Sequence, residues 1–232
     1  MDARRVIQSA GVIGFFTMVS RLLGLARDVL MAYVFGTSLA MSAFVVAFTI
    51  PNLFRRLFGE GALSAALVPV LVDVRKDEGE IAAWNLTRRV VTLVLSLLTA
   101  LTLIGLVVAW GGMRIAEPGG KAHLILDLLR IMLPYMVFIC LAALSMAVLN
   151  SYHHFAVPAA TPCLLNLVWI AALVWIAGEA GGDERIRIVA WAVLVAGVLQ
   201  LVAQVPVLVR FGYRPGWDFA PRDPQVRRVV TI

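Results

Sequence analysis

The sequence predicts an all-α, polytopic membrane protein, and three observations carry that prediction. Of its 232 residues, 61% are hydrophobic and only 15% are charged, against about 45–50% and about 25% in an ordinary soluble domain. Mean hydropathy is +0.91, so a compact fold cannot hide all of its apolar surface from its surroundings, and lipid is the expected solvent. The third observation is a succession of apolar segments of about 20 residues or more, the length that crosses a hydrocarbon core about 30 Å thick.

Six such segments are expected, at residues 10–35, 41–72, 90–110, 124–149, 158–178 and 188–211. The first follows Arg4 and Arg5 and resembles the start of a signal peptide. Ser20-Arg21 then stands where a small-residue cleavage site would be needed, and the run continues to Phe35, so it reads as an uncleaved first span. Gly36-Thr37-Ser38 closes it. The second segment contains Pro51, which removes a backbone donor and is expected to kink it. Gly111-Gly112 and Pro118-Gly119-Gly120 mark breaks around the third and fourth segments, and Gly181-Gly182-Asp183 separates the fifth from the sixth. His153 and His154 fall in a short turn between the fourth and fifth. Residues 1–211 therefore form a six-helix transmembrane lobe. Residues 212–232 read as a linker rich in Pro, Gly and charge, followed at Gln225 by the first turns of a further helix, as expected of a piece of a longer protein.

Loop charges orient the spans. With the N-terminus in the cytoplasm, the inner side holds eleven basic residues: Arg4, Arg5, Arg75, Lys76, Arg88, Arg89, Arg210, Arg214, Arg222, Arg227 and Arg228. The outer side holds four, Arg114, Lys121, Arg185 and Arg187. The net charge of +6 and the pI of about 10.0 follow from this inside bias. No helix-turn-helix, zinc-finger or RNA-binding motif accompanies it, so nucleic acid is not an expected partner. Cys140 and Cys163 lie inside apolar runs, away from any ligand-spaced His or carboxylate, and read as packing residues.

The remaining basic residues lie inside apolar segments: Arg21, Arg27, Arg55, Arg56 and Arg130, with Asp28 and Glu60 nearby. A charge at mid-bilayer costs roughly 2.5–3.5 kcal/mol on insertion scales, so such residues face a bundle interior or a water-filled cavity. Asp127 three residues before Arg130 offers it a structural partner, and Arg56 with Glu60 is spaced for an i, i+4 pair. On a straight helix Arg21 and Asp28 share a face, whereas Arg27 points about 120° away. Gly24 between the arginines is the expected point of bending that turns both guanidinium groups toward one cavity. Arg55 has no acidic residue at i±3 or i±4, which leaves its charge for a ligand. A guanidinium fork matches phosphate oxygens bidentately, so several arginines in a membrane cavity point to an anionic head group, a diphosphate above all.

Read together, Ser20-Arg21-Leu22-Leu23-Gly24-Leu25-Ala26-Arg27-Asp28, Ala43-Phe44-Val45-Val46-Ala47-Phe48, Pro51-Asn52-Leu53-Phe54-Arg55-Arg56 and Glu60-Gly61-Ala62-Leu63-Ser64 resemble the N-terminal signature of the MurJ/MviN family. Leu133-Pro134-Tyr135, Ala147-Val148-Leu149-Asn150, Phe155-Ala156-Val157-Pro158-Ala159, Leu164-Leu165-Asn166 and Gly197-Val198-Leu199-Gln200-Leu201 extend the resemblance along the chain. It implies a flippase of the multidrug/oligosaccharidyl-lipid/polysaccharide exporter superfamily. Such a protein carries lipid II, an undecaprenyl-diphosphate-linked peptidoglycan precursor, across the bacterial cytoplasmic membrane by alternating access. It implies two six-helix lobes around a cationic cavity, of which this chain supplies the first, with Arg21, Arg27 and Arg55 as the diphosphate-binding residues. Asp28, Asn52, Arg56 and Glu60 are the supporting positions. No cofactor is expected in this chain, and a sodium site, where the family has one, belongs to the second lobe. Three positions depart from the family pattern: Ser42 stands where an acid is frequent, Thr49 where a lysine is common and Ala65 where a glutamine follows the serine. The departure at Ser42 bears on any gating pair that needs the acid.

Two other readings compete. An exporter of another polyprenyl-diphosphate-linked glycan would share the fold and the cationic cavity, and a non-transporting scaffold would leave the buried arginines without a purpose. An enzyme acting on the same lipids would need clustered carboxylates for Mg²⁺ or a nucleophile with a positioned base. Asp73, Asp77, Glu78 and Glu80 instead read as a solvated charge run in a loop, and no enzyme is expected.

Overall fold

The computed structural model describes residues 3–59, 62–178 and 182–231. It is all-helical over these residues: α1 Ala3–Phe35, α2 Leu39–Gly59, α3 Ala62–Asp77, α4 Glu80–Ile115, α5 Lys121–Ser151, α6 Ala156–Ile176, α7 Asp183–Arg210 and α8 Pro224–Thr231. Ala10–Phe35 of α1 and the whole of α4, α5, α6 and α7 are long and apolar enough to cross a membrane. In hydrocarbon a backbone can satisfy its polar groups only within itself, and uninterrupted helices do this.

The expected second segment, 41–72, is two helices, α2 and α3. The 21 residues of α2 give about 31 Å at the helical rise, enough to span, but Arg55 and Arg56 dilute the apolarity of its last turns. The 16 residues of α3 reach only about 24 Å, short of the core thickness. Ala66, Leu67, Val70, Leu71 and Val74 form its buried stripe, which packs it onto α4, α5 and α8. Glu60, and with it the expected Arg56–Glu60 pair, lies outside the described residues.

Gly36, with φ 53°, and Gly119, with φ 80°, make the expected turns, at backbone angles that L side chains avoid. Gly111-Gly112 does not break the chain as the composition suggests. Both glycines lie inside α4, which runs on to Ile115. A Cβ on Gly112 would sit 3.0 Å from Leu126 Cδ1, so this glycine serves close packing of α4 on α5 rather than a turn.

Helix α5 is the buried axis of the lobe. It packs against α2, α4, α7 and α3 and buries Leu128, Met132, Tyr135, Met136 and Leu144 almost completely. Its approach to α7 depends on Gly197, where a Cβ would lie 2.5 Å from Tyr135 Cδ2 and 2.9 Å from Cε2. At one end of this axis Asp127, largely buried, accepts from Arg130 at 2.9 Å, as its spacing predicts, and from Arg187 of α7 at 2.7 Å.

At the other end an aromatic cluster ties four helices together. Tyr152 caps α5 and stacks on Trp84 of α4 with ring centroids 4.7 Å apart. Phe211 and Tyr213, just past α7, complete the cluster. The Arg75 guanidinium of α3 lies 4.7 Å from the Tyr152 ring centroid, and the Tyr152 hydroxyl donates to Glu80 at 2.7 Å. Burial, and then that bond, push the Tyr152 hydroxyl well above its ordinary range, so it stays a donor. The expected acidic loop is therefore mostly ordered helix end: Asp73 lies within α3 and pairs with Arg228 of α8 at 2.8 Å. The linker is pinned by Arg89, which holds Asp218 at 3.1 Å and Asp223 at 2.6 Å. Asp223 Oδ1 in turn accepts from the backbone N–H groups of Gln225 and Val226 at the start of α8.

Two outcomes follow from this packing. Gly197→Ala forces its methyl into a fully buried tyrosine ring and is expected to destabilise the protein by about 1–3 kcal/mol, read as a lower thermal unfolding temperature in detergent. Arg89→Ala removes the side chain that bridges both linker carboxylates, leaving Asp218 its 3.7 Å pair with Arg88. It is expected to raise amide hydrogen exchange over residues 218–231 while leaving α5 and α7 protected.

Candidate functional site

The side of α1 that meets Asn166 and Trp169 of α6 carries Ser20, Gly24, Arg27 and Met31, at the i, i+4, i+7 spacing of one helix face. Most of these are small or polar. The apolar residues Phe15, Met18, Leu22, Leu25 and Val29 occupy the exposed face instead. This is the reverse of a soluble amphipathic helix and suits one with lipid outside and a polar seam inside.

Asn166 of α6 organises the seam. It is 6% exposed. Its Nδ2 donates to the Ser20 carbonyl at 3.0 Å, and its Oδ1 accepts from Arg27 at 3.1 Å. Gly24 lies beside this contact, where a Cβ would stand at an ordinary 3.7 Å from Asn166 Nδ2, and α1 runs as one helix from Ala3 to Phe35 with no break at the glycine.

Arg27 is held from three sides. It donates to Asp28 at 2.7 and 2.9 Å, donates to Asn166, and lies with its guanidinium carbon 4.6 Å from the Trp169 ring centroid. Trp169 in turn donates to the Met31 sulfur at 3.4 Å and packs edge-on to Phe44 and Phe48 of α2. These aromatic rings fill the space between α1, α2 and α6 on the Met31 side of the arginine. Asp28 serves its neighbour Arg27 in this arrangement, although helical spacing places it on the face of Arg21.

On the other side of Arg27 the seam opens. Arg21 lines a groove of about 420 Å³ with Thr17, Ser20, Asn150, Phe155 and Pro158. Arg55 lines a second, narrower cavity of about 170 Å³ among α5, α6 and α7, with Thr161, Gln200 and Gln204 as its other polar residues. The two spaces share Met146 and Pro162 as walls. Arg55 Nε donates to the Asn52 side-chain oxygen at 3.0 Å, so a neutral amide one turn earlier on α2 helps to position this guanidinium. Pro51 lies inside α2 one residue before that asparagine. Arg56 is exposed on α2.

The structure thus gathers Arg21 and Arg55 on adjoining spaces with Arg27 beside them, and it brings Asp28 to Arg27 and Asn52 to Arg55. Sequence reasoning passed over Asn166, Trp169, Gln200 and Gln204 as site residues. A usable signal existed for the two glutamines, a pair of amides spaced i, i+4 in an otherwise apolar helix. Asn166 and Trp169 carry meaning only once α6 is known to face α1. At the far end of α2, Ser42 accepts a hydrogen bond from Lys121 at 3.2 Å, so a neutral contact occupies the position where the family pattern favours an acid.

A sequence profile of the family described as "Lipid II flippase MurJ" matches residues 31–232. A lipid II flippase MurJ of Burkholderia cenocepacia is 40% identical over 225 residues, covering 93% of this chain and 43% of the relative. A probable lipid II flippase MurJ of Rhizobium tropici is 36% identical over 228 residues, covering 95% of this chain and 43% of the relative. This chain therefore spans less than half the length of these curated relatives. Among solved structures, that of a lipid II flippase MurJ described as being in an inward closed conformation superposes with a TM-score of 0.72 at 23% identity, over 94% of this chain and 46% of that one, which shows the shared fold. On the profile match and on relatives of this identity along nearly its whole length, this chain belongs to the MurJ lipid II flippase family.

Proposed function

We propose that this chain is the N-terminal lobe of a transporter that moves lipid II, a polyprenyl-diphosphate-linked cell-wall precursor, from the inner to the outer leaflet of the bacterial cytoplasmic membrane. The observation that supports this most is the placement of Arg21, Arg27 and Arg55 along one polar seam in a lobe whose outer surface is apolar. Each guanidinium offers paired N–H donors that fit phosphate oxygens, and a cationic lining offsets the cost of taking a diphosphate out of water. The three differ in how they are held. Arg27 is fixed by Asp28, Asn166 and Trp169 and is a static element of the field. Arg21 lines the wider groove and meets the head group on entry. Arg55, steered by Asn52, receives a phosphate deeper in the lobe.

In this mechanism the N-terminus is cytoplasmic, the diphosphate docks on the arginines, and a second lobe of the same protein rocks against this one to change the side of access. The polyprenyl tail remains in the bilayer through a lateral gap. The chain's part is binding and orientation, and no covalent chemistry is assigned to it. An exporter of a different polyprenyl-diphosphate glycan would use the same contacts, so the sugar attached to the lipid is what separates the two readings.

Native mass spectrometry of the detergent-purified full-length protein with lipid II tests the proposal. Each of Arg21→Ala and Arg55→Ala is expected to weaken binding about tenfold or more, as loss of a charge-assisted hydrogen bond does, with a neutral lipid unaffected. Arg27→Ala is expected to weaken binding and also to lower the unfolding temperature, because it strips Asn166 and Trp169 of a partner. Equal binding of lipid II by wild type and all three variants would return the arginines to a structural role. Equal affinity for a polyprenyl diphosphate bearing another glycan would favour the alternative exporter.

A further inference from the structure

Gln200 and Gln204 sit one helical turn apart on α7 and are 3% and 1% exposed, and both line the cavity that holds Arg55. Helix spacing puts them on one face. Gln204 Nε2 donates back to the Gln200 carbonyl at 3.2 Å, which fixes that side chain. Gln204 Oε1 and Gln200 Nε2 are buried and have no hydrogen-bond partner among the described residues. One acceptor and one donor, both desolvated and unpartnered, therefore belong to neighbouring side chains on the wall of the cavity that Arg55 also lines.

Burying a polar atom without a partner is unfavourable, and native folds seldom tolerate it where nothing is to be bound. Leucine or methionine at these positions would fill an apolar helix at lower cost. Thr161, the other polar side chain of the cavity, turns its hydroxyl onto the Val157 carbonyl, so it does not compete for the amides. At about 170 Å³ the space exceeds what a single water needs. An adjacent donor and acceptor match groups that themselves carry both, such as a sugar hydroxyl or an acetamido substituent. They do not match a phosphate, which only accepts.

We infer that Gln200 and Gln204 form a subsite for the uncharged polar part of the head group, a hydroxyl- or amide-bearing sugar attached to the diphosphate that Arg55 receives. The inference rests on the diphosphate reading above and adds what selects the glycosylated lipid over the bare carrier. Sites built to hydrogen-bond a substrate group discriminate strongly against the analogue that lacks it, because their own polar atoms are then left unpaired.

The test uses the full-length protein in nanodiscs with two probes, undecaprenyl diphosphate and undecaprenyl diphosphate carrying a single N-acetylated sugar. Gln200→Leu, Gln204→Leu and the double variant are compared with wild type, with Gln200→Met and Gln204→Met as second variants that keep the length of the side chain. The expected result is about a tenfold loss of affinity for the glycosylated lipid, with affinity for the bare diphosphate within about twofold of wild type. The ligand-free unfolding temperature should be unchanged or higher, since an unpaired buried amide has been removed. Equal weakening of both lipids, or of neither, would overturn the subsite. So would a clear fall in the ligand-free unfolding temperature for the Leu and Met variants alike, which would show that the amides stabilise the fold itself. Arg55→Ala serves as the separate control: if it leaves both affinities unchanged while the glutamine variants still separate the two lipids, the diphosphate reading fails and the sugar contact stands.

Discussion

Inside a bilayer a polar group can be satisfied only by the protein that carries it, and this constraint shapes the chain at every level. For the backbone it leaves helices, and prolines 51, 69, 134, 162 and 206 all lie within helices rather than ending them. For side chains it sets the direction in which each helix faces. On α1, Phe15, Met18, Leu22, Leu25 and Val29 face outward, while Ser20 and Arg27 are half-buried against Asn166. Reversing that order would place Arg27 in hydrocarbon without Asp28, Asn166 or Trp169 to offset its desolvation.

The same constraint explains why the arginines are held so differently. A guanidinium with three fixed partners gains stability but loses freedom to follow a ligand, and Arg27 is of that kind. Arg55 donates to the amide oxygen of Asn52, a partner that brings no charge of its own. A carboxylate in that place would bind the arginine more strongly and compete with any incoming anion. Neutral amides recur along the seam at Asn52, Asn166, Gln200 and Gln204. Asn52 and Asn166 each accept from an arginine without placing a negative charge beside it.

Much of this was legible in the sequence, and what escaped has a common cause. Hydropathy locates the spans because lipid imposes one solvent on the whole surface, and the cost of a buried charge singles out Arg21, Arg27 and Arg55 before any fold is known. The Arg130–Asp127 pair is local and was correctly read from its i, i+3 spacing, but Arg187 completes it from another helix. Gly111-Gly112 misled because a glycine pair signals a turn in sequence, whereas its use here is to admit Leu126. The deciding neighbour lies on a different helix, and local propensity carries no information about it. The division of 41–72 into α2 and α3 was hidden because both pieces are apolar.

The position of the polar seam follows from how the helices pair. α1 packs along α6 and α2 along α5, while α5 and α6 diverge after the turn at His153 and make little contact with each other. α7 packs on both α5 and α6 and closes the back of the gap they leave. An apolar gap of this kind would be filled by side chains or would collapse. Arg55 from α2, Thr161 from α6 and Gln200 and Gln204 from α7 all line it, so the gap lies where polar side chains of three helices meet rather than within the apolar core.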